Sequence, residues 1–256
     1  MRGGWLQERS WDEVAEYLRK DDRIIIPVGS TEQHGTFAPL GTDSYVAQTL
    51  AEDAAKRTGI LVAPPLWFGW SPHHMVLPGT VTIRAEVLLE FLFDVIRSLA
   101  EHGFRNFVLL NGHRIVNIPW MQIAAERAQR ELSVRVVLFD PAYMSKEIVG
   151  SLGWGPIGHA EEIEISHMLY RFPKMLKLEK AKDHPHRERH LYHINPCDTR
   201  DTLCYIPYTK KDLGETYENT GDAVGGYPTR ASSEAGRLYH QHLVGRLVEV
   251  LESLRS

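Results

Sequence analysis

Apolar residues along this chain fall into short blocks, separated by longer stretches in which they recur every three or four positions. The blocks at residues 24–28, 60–63, 107–110 and 134–139 have the length of strands. Continuous apolar runs of this kind suit strands buried on both faces, as in a parallel sheet. Between them the helical period takes over. Ser10-Trp11-Asp12-Glu13 reads as a capping box that opens a short helix to about Leu18. Further helices are predicted from near Asp43 to Arg57, over 84–102, and over 116–131, the last starting no earlier than Ile118 because of Pro119. Strand alternating with helix at this spacing predicts an α/β fold, a three-layer sandwich with a mostly parallel central sheet flanked by helices. After Asp140 the pattern changes. Residues 160–169 read as helix, 174–226 as an irregular polar insertion, and 229–254 as a long closing helix. Residues 64–79, rich in proline and aromatic rings, read as a rigid loop, and the whole chain, 1–256, as one domain.

Composition narrows the functional classes. The 256 residues carry 29 Lys+Arg against 33 Asp+Glu, so no basic excess points to a nucleic-acid partner. The N-terminal stretch has no apolar core of a secretory signal, and the most apolar helix is interrupted by Glu90, Asp94 and Arg97. No membrane partner is expected, and the chain reads as soluble and cytoplasmic. The two cysteines, Cys197 and Cys204, match neither a zinc knuckle nor a redox pair, and are expected to be reduced and unengaged. The histidine-rich run at 184–190 reads as a solvated loop.

In an open α/β sheet, ligands bind outside the carboxyl ends of the strands. Two polar segments leave such ends: Ser30-Thr31-Glu32-Gln33-His34 and Asn111-Gly112-His113. Glu32 and His34 are two apart, so an extended backbone points both the same way. Asp43 opens the next helix, where it either favours the helix N-terminus or turns back toward the same mouth. Two carboxylates and two imidazoles form a borderline donor set for zinc, manganese, iron or nickel. Taken singly, each has an ordinary alternative as a cap, loop or turn residue.

The string PVGSTEQHG…PLGTD, with PGT at 78–80, NGH at 111–113 and GHAEEIEIS at 158–166, resembles the creatininase family of amidohydrolases. The resemblance implies an α/β fold with two divalent metal ions (zinc, manganese or iron), a small-molecule substrate, and homo-oligomers, often hexamers. By motif match it makes Glu32, His34 and His113 terminal ligands and Asp43 a bridge. Some members supply a further glutamate two residues after the NGH histidine, where this chain has Ile115. Others use the first glutamate of HAGExE, which falls on Glu162. Glu162 is therefore expected to complete the site and help orient the water, with Glu164 the rival. His159 matches a histidine near the scissile bond and is expected to transfer a proton. His74, Trp154 and Arg114 are expected to contact substrate.

Three departures from the family strings weaken creatinine itself as the substrate. GPHLP becomes Gly35-Thr36-Phe37-Ala38-Pro39, NGHGGN becomes a longer segment with Arg114 after His113, and HAGE becomes His159-Ala160-Glu161-Glu162. The expected chemistry is two-metal hydrolysis of a small cyclic amide or related C–N bond. The alternatives are opening of a C–C bond in a keto-inositol-type cyclic diketone, and a metal-binding protein without turnover.

Overall fold

The structure is a computed structural model that describes residues 4–185 and 207–255. The four apolar blocks form β1 (Arg23–Val28), β2 (Leu61–Val62), β3 (Asn106–Asn111) and β4 (Arg135–Phe139). They pair in the order β2-β1-β3-β4, and every pairing is parallel. Helix α1 (Trp11–Leu18) precedes β1, and α2 (Thr42–Thr58), α3 (Ala85–His102) and α4 (Ile118–Leu132) lie between the strands. Beyond β4 come α5 (Pro141–Met144), α6 (Lys146–Ser151), α7 (Glu162–Arg171), α8 (Lys210–Thr220) and α9 (Ser233–Ser253).

Successive strand residues point to opposite faces, and this alternation divides the core in two. Ile24, Ile26, Phe107 and Leu109 pack with Leu92, Phe93 and Ile96 of α3 and Trp120, Met121 and Ala124 of α4. Ile25, Val108 and Leu110 pack on the other face with Val46, Leu50 and Ala54 of α2 and Leu243, Val244 and Leu247 of α9. The three layers follow from these two faces. The expected capping box is present, with Ser10 N–H donating to Glu13 Oε2 at 2.8 Å.

Two boundaries differ from the sequence expectation. The helix expected from residue 160 starts at Glu162, because Ala160 has φ 53° and His159 forms an extended bridge with Gly225. The insertion expected to be irregular holds α8, opened by its own capping box between Thr209 and Asp212. Its apolar content is too low to show a helix by periodicity. Cys197, Cys204 and most of the histidine-rich run lie outside the described residues. No helix among the described residues is long and apolar enough to cross a membrane.

Candidate metal centre

The strand order places β1 beside β3 at the centre of the sheet, and the segments leaving their carboxyl ends build the site. Glu32 and His34 follow β1, Asp43 lies in the first turn of α2, and His113 follows β3. Gly112 makes this approach possible: a Cβ there would stand 2.0 Å from the backbone oxygen of Asp43. His34 Nε2 lies 3.3 Å from Asp43 Oδ1, and His113 Nδ1 lies 3.1 Å from Asp43 Oδ2. His113 Nε2 is 3.3 Å from Glu32 Oε2. Asp43 thus stands between two groups of donors, Glu32 with His113 and His34 with Glu164.

The carboxylate in the second group is Glu164, not the expected Glu162. Glu164 Oε2 is 3.6 Å from His34 Nε2. Glu162 is buried too, but its Oε1 accepts from Gly155 N–H and its Oε2 from Tyr227 N–H. The reason is the late start of α7. His159 precedes the helix, and within its first turn Glu164, rather than Glu162, faces His34.

His159 and His74 both reach the site. His159 Nδ1 lies 3.5 Å and His74 Nε2 3.4 Å from Glu32 Oε1. Gln33, which is not among the residues expected at the site, braces them. Its Nε2 sits 2.9 Å from His74 Nδ1 and donates to Ala223 O, while its backbone oxygen receives the Nε2–H of His159. A cavity of about 550 Å³ opens over the cluster, lined by His73, His74, His159, Glu164 and residues of α8 such as Leu213 and Thr216. Two residues expected to contact substrate have other partners in the fold. Trp154, half-buried, packs edge-on against Tyr239 and is not among the residues lining this cavity. Arg114 borders the cavity, but its guanidinium is committed to Glu161, Glu164 and the Gly158 carbonyl.

Buried carboxylates and imidazoles shift one another strongly here. Burial pushes Glu32 up to about 7, with the Asp43 carboxylate adding to the rise and the two imidazoles opposing it. Burial alone would lower His34 and His113. The carboxylates around them outweigh it and hold His34 at about 10 and His113 at about 9. His159 and His74 lie well below the ordinary histidine value, first through burial and then through neighbouring imidazoles. Glu32 Oε2, His34 Nε2 and Asp43 Oδ2 are buried without a hydrogen-bond partner. Buried polar atoms are almost always paired, and orphans within overlapping groups of carboxylates and imidazoles suit a site that binds cations. The donor set of carboxylates and imidazoles fits zinc or manganese.

Residues 7–251 match the Creatininase family model, described as creatinine amidohydrolase.

The chain belongs to the creatininase family.

It is 36% identical over 191 residues to 3-dehydro-scyllo-inosose hydrolase of Thermotoga maritima, covering 71% of this chain and 60% of that one. It is 31% identical over 215 residues to creatinine amidohydrolase of Pseudomonas putida, covering 76% and 82%. The chain therefore spans 60% of the length of the Thermotoga relative. A tryptophan-to-phenylalanine variant of creatininase superposes over 98% of both chains with a TM-score of 0.81 at 25% identity. Other creatininase structures of the same fold include a Zn-Zn type and a Mn form, each with a TM-score of 0.78.

Proposed function

We propose that this creatininase-family chain is a metal-dependent hydrolase, with two divalent ions held by Glu32, Asp43 and His113 on one side and His34, Asp43 and Glu164 on the other. The observation that carries this is a trio of orphaned buried atoms, on Glu32, His34 and Asp43, whose residues link the two overlapping groups of donors. Divalent ions bound there supply hydroxide near neutral pH and polarise a carbonyl. The chain's own residues then manage the proton. His159 is kept neutral by burial, and its Nε2–H is held by Gln33 O, leaving Nδ1 turned toward Glu32 and the cavity. Nδ1 accepts a proton from the attacking water and returns it to the leaving group. His74, neutral for the same reason, presents a second imidazole to the substrate.

The substrate is a small polar molecule with a reactive carbonyl. Opening of a cyclic amide is the first reading, since creatinine amidohydrolase matches along 82% of its length. Opening of a C–C bond in a keto-inositol is the second, favoured by the 36% identity to a 3-dehydro-scyllo-inosose hydrolase. Elemental analysis of gently purified protein is expected to find close to two divalent ions per chain. Metal content near zero, unrestored by added zinc or manganese, overturns the proposal. Parallel assays on creatinine, other lactams, formamides and 3-dehydro-scyllo-inosose then decide the bond, and turnover of the inosose alone discards the amide reading.

A further inference from the structure

Two of the places where the sequence departs from the family strings meet in space. Arg114 stands directly after His113, and Glu161 stands in His159-Ala160-Glu161-Glu162. Although 47 positions apart, they form a two-pronged ion pair: Arg114 Nη1 donates to Glu161 Oε1 at 2.7 Å and Nη2 donates to Oε2 at 2.8 Å. The other edge of the guanidinium takes Glu164. Nε donates to Glu164 Oε1 at 3.1 Å, and Nη2 lies 2.7 Å from the same oxygen. All three side chains are buried, Glu161 completely.

The backbone on each side of the pair is strained. Ile115, next to Arg114, has φ 67°, and Ala160, next to Glu161, has φ 53°. A β-branched residue in this region is costly, and such conformations persist only where their surroundings over-determine them. The ion pair ties the two corners together. It also leaves Glu164 with divided duties. Oε1 is spent on the guanidinium, while Oε2 receives the Ala160 N–H at 2.8 Å and faces His34 Nε2.

We propose that Arg114 and Glu161 are a positioning pair for Glu164, fixing which of its oxygens joins His34 and Asp43 at the second metal position. The inference rests on the two-ion reading above. Without the guanidinium, Glu161 and Glu164 are two carboxylates repelling each other in a medium that screens poorly, and Glu164 turns away. Without the Glu161 charge, the guanidinium draws wholly onto Glu164. A lysine cannot replace the arginine, because a point ammonium does not span two carboxylates as a planar fork does.

The test is a competition titration of zinc against a chromophoric chelator, on the full chain stripped of metal, for wild type, Glu164→Gln, Arg114→Lys and Glu161→Gln. Wild type is expected to show two steps and Glu164→Gln to lose one of them. Arg114→Lys and Glu161→Gln are expected to weaken that same step by about 10–100-fold, leaving the other largely unchanged. Thermal midpoints of the stripped proteins separate positioning from folding. If both steps weaken together in proportion to the fall in midpoint, or neither moves while Glu164→Gln loses one, the pair is structural and the proposal fails. If Arg114→Lys does not fold, Glu161→Gln, which keeps an acceptor in place, decides alone. Fewer than two ions on wild type overturns the two-ion reading, and this inference with it.

Discussion

At residue scale the site turns on two carboxylates that sit two positions apart in α7. Glu162 closes a loop by receiving two backbone N–H groups, from Gly155 and Tyr227. Glu164 faces His34 across 3.6 Å and shares Arg114 with Glu161. Their buried oxygens therefore do different work, and their neutral isosteres should separate it. Glu164→Gln is expected to weaken binding of one divalent ion by more than about 100-fold, since even outer partners of metal ligands cost 10–100-fold. Glu162→Gln is expected to leave metal content at wild-type level while lowering the unfolding midpoint, because an amide serves two N–H donors poorly. Metal content after equal dialysis, measured beside a denaturation curve, checks both. Equal metal loss in the two variants would remove Glu164 from its place.

The element scale is set by close approaches that side chains would forbid. Helix α9 lies on α7 at Gly236, where a Cβ would stand 1.8 Å from Ser166 O and 3.0 Å from His167 N. The same helix holds Gly245, around which a Cβ would meet nothing within 4 Å. One helix thus offers two glycines with opposite expectations. Gly236→Ala should destabilise by about 3 kcal/mol or more through overpacking against backbone. Gly245→Ala should stabilise by about 0.5–1 kcal/mol, since alanine loses less chain entropy in a helix. Urea midpoints of the two variants test this, and a shift in the same direction would contradict the packing argument. Because Ser166 and His167 follow Glu164 on α7, the seat of α9 also bears on where the Glu164 carboxylate stands.

At the scale of the whole molecule, a buried chain of hydrogen bonds joins three helices away from the cavity. His167 Nε2 of α7 lies 2.8 Å from His240 Nδ1 of α9, and His240 Nε2 lies 2.9 Å from Asp53 Oδ2 of α2. Arg171 completes it by donating to the same Asp53 oxygen. Burial lowers both histidines, and for His167 the cationic neighbourhood of His240, Arg171 and Arg114 adds to the effect. A histidine lowered on folding binds protons more readily in the unfolded chain. Its contribution is intact above the ordinary histidine value of about 6.5 and is lost as pH falls toward the folded value. Asp53 acts with the same sign lower down. Burial opposes ionisation there, but Lys56, His240 and Arg171 together hold it below the usual carboxylate range. Stability of the metal-loaded protein is therefore expected to fall between about pH 7 and 5, and to fall less in His167→Asn, which cannot titrate there. Denaturation midpoints at the two values check this, and equal slopes in the two proteins would exclude His167 as a source.

The sequence by itself determined the sheet, because strands buried on both faces write themselves as unbroken apolar blocks. It marked four candidate donors for a related reason. Glu32, His34, Asp43 and His113 each sit within a few residues of a strand end or helix start, so local geometry already aims them at one mouth. Long-range packing decided the rest. Only the folded chain shows that Ala160 delays α7 and so brings in Glu164 in place of Glu162. Only there does Arg114, at the edge of the cavity, meet Glu161, does Trp154 pack against Tyr239, and does α8 supply a cavity wall. Each of these depends on segments more than forty residues apart or on a backbone turn that hydrophobic periodicity does not record.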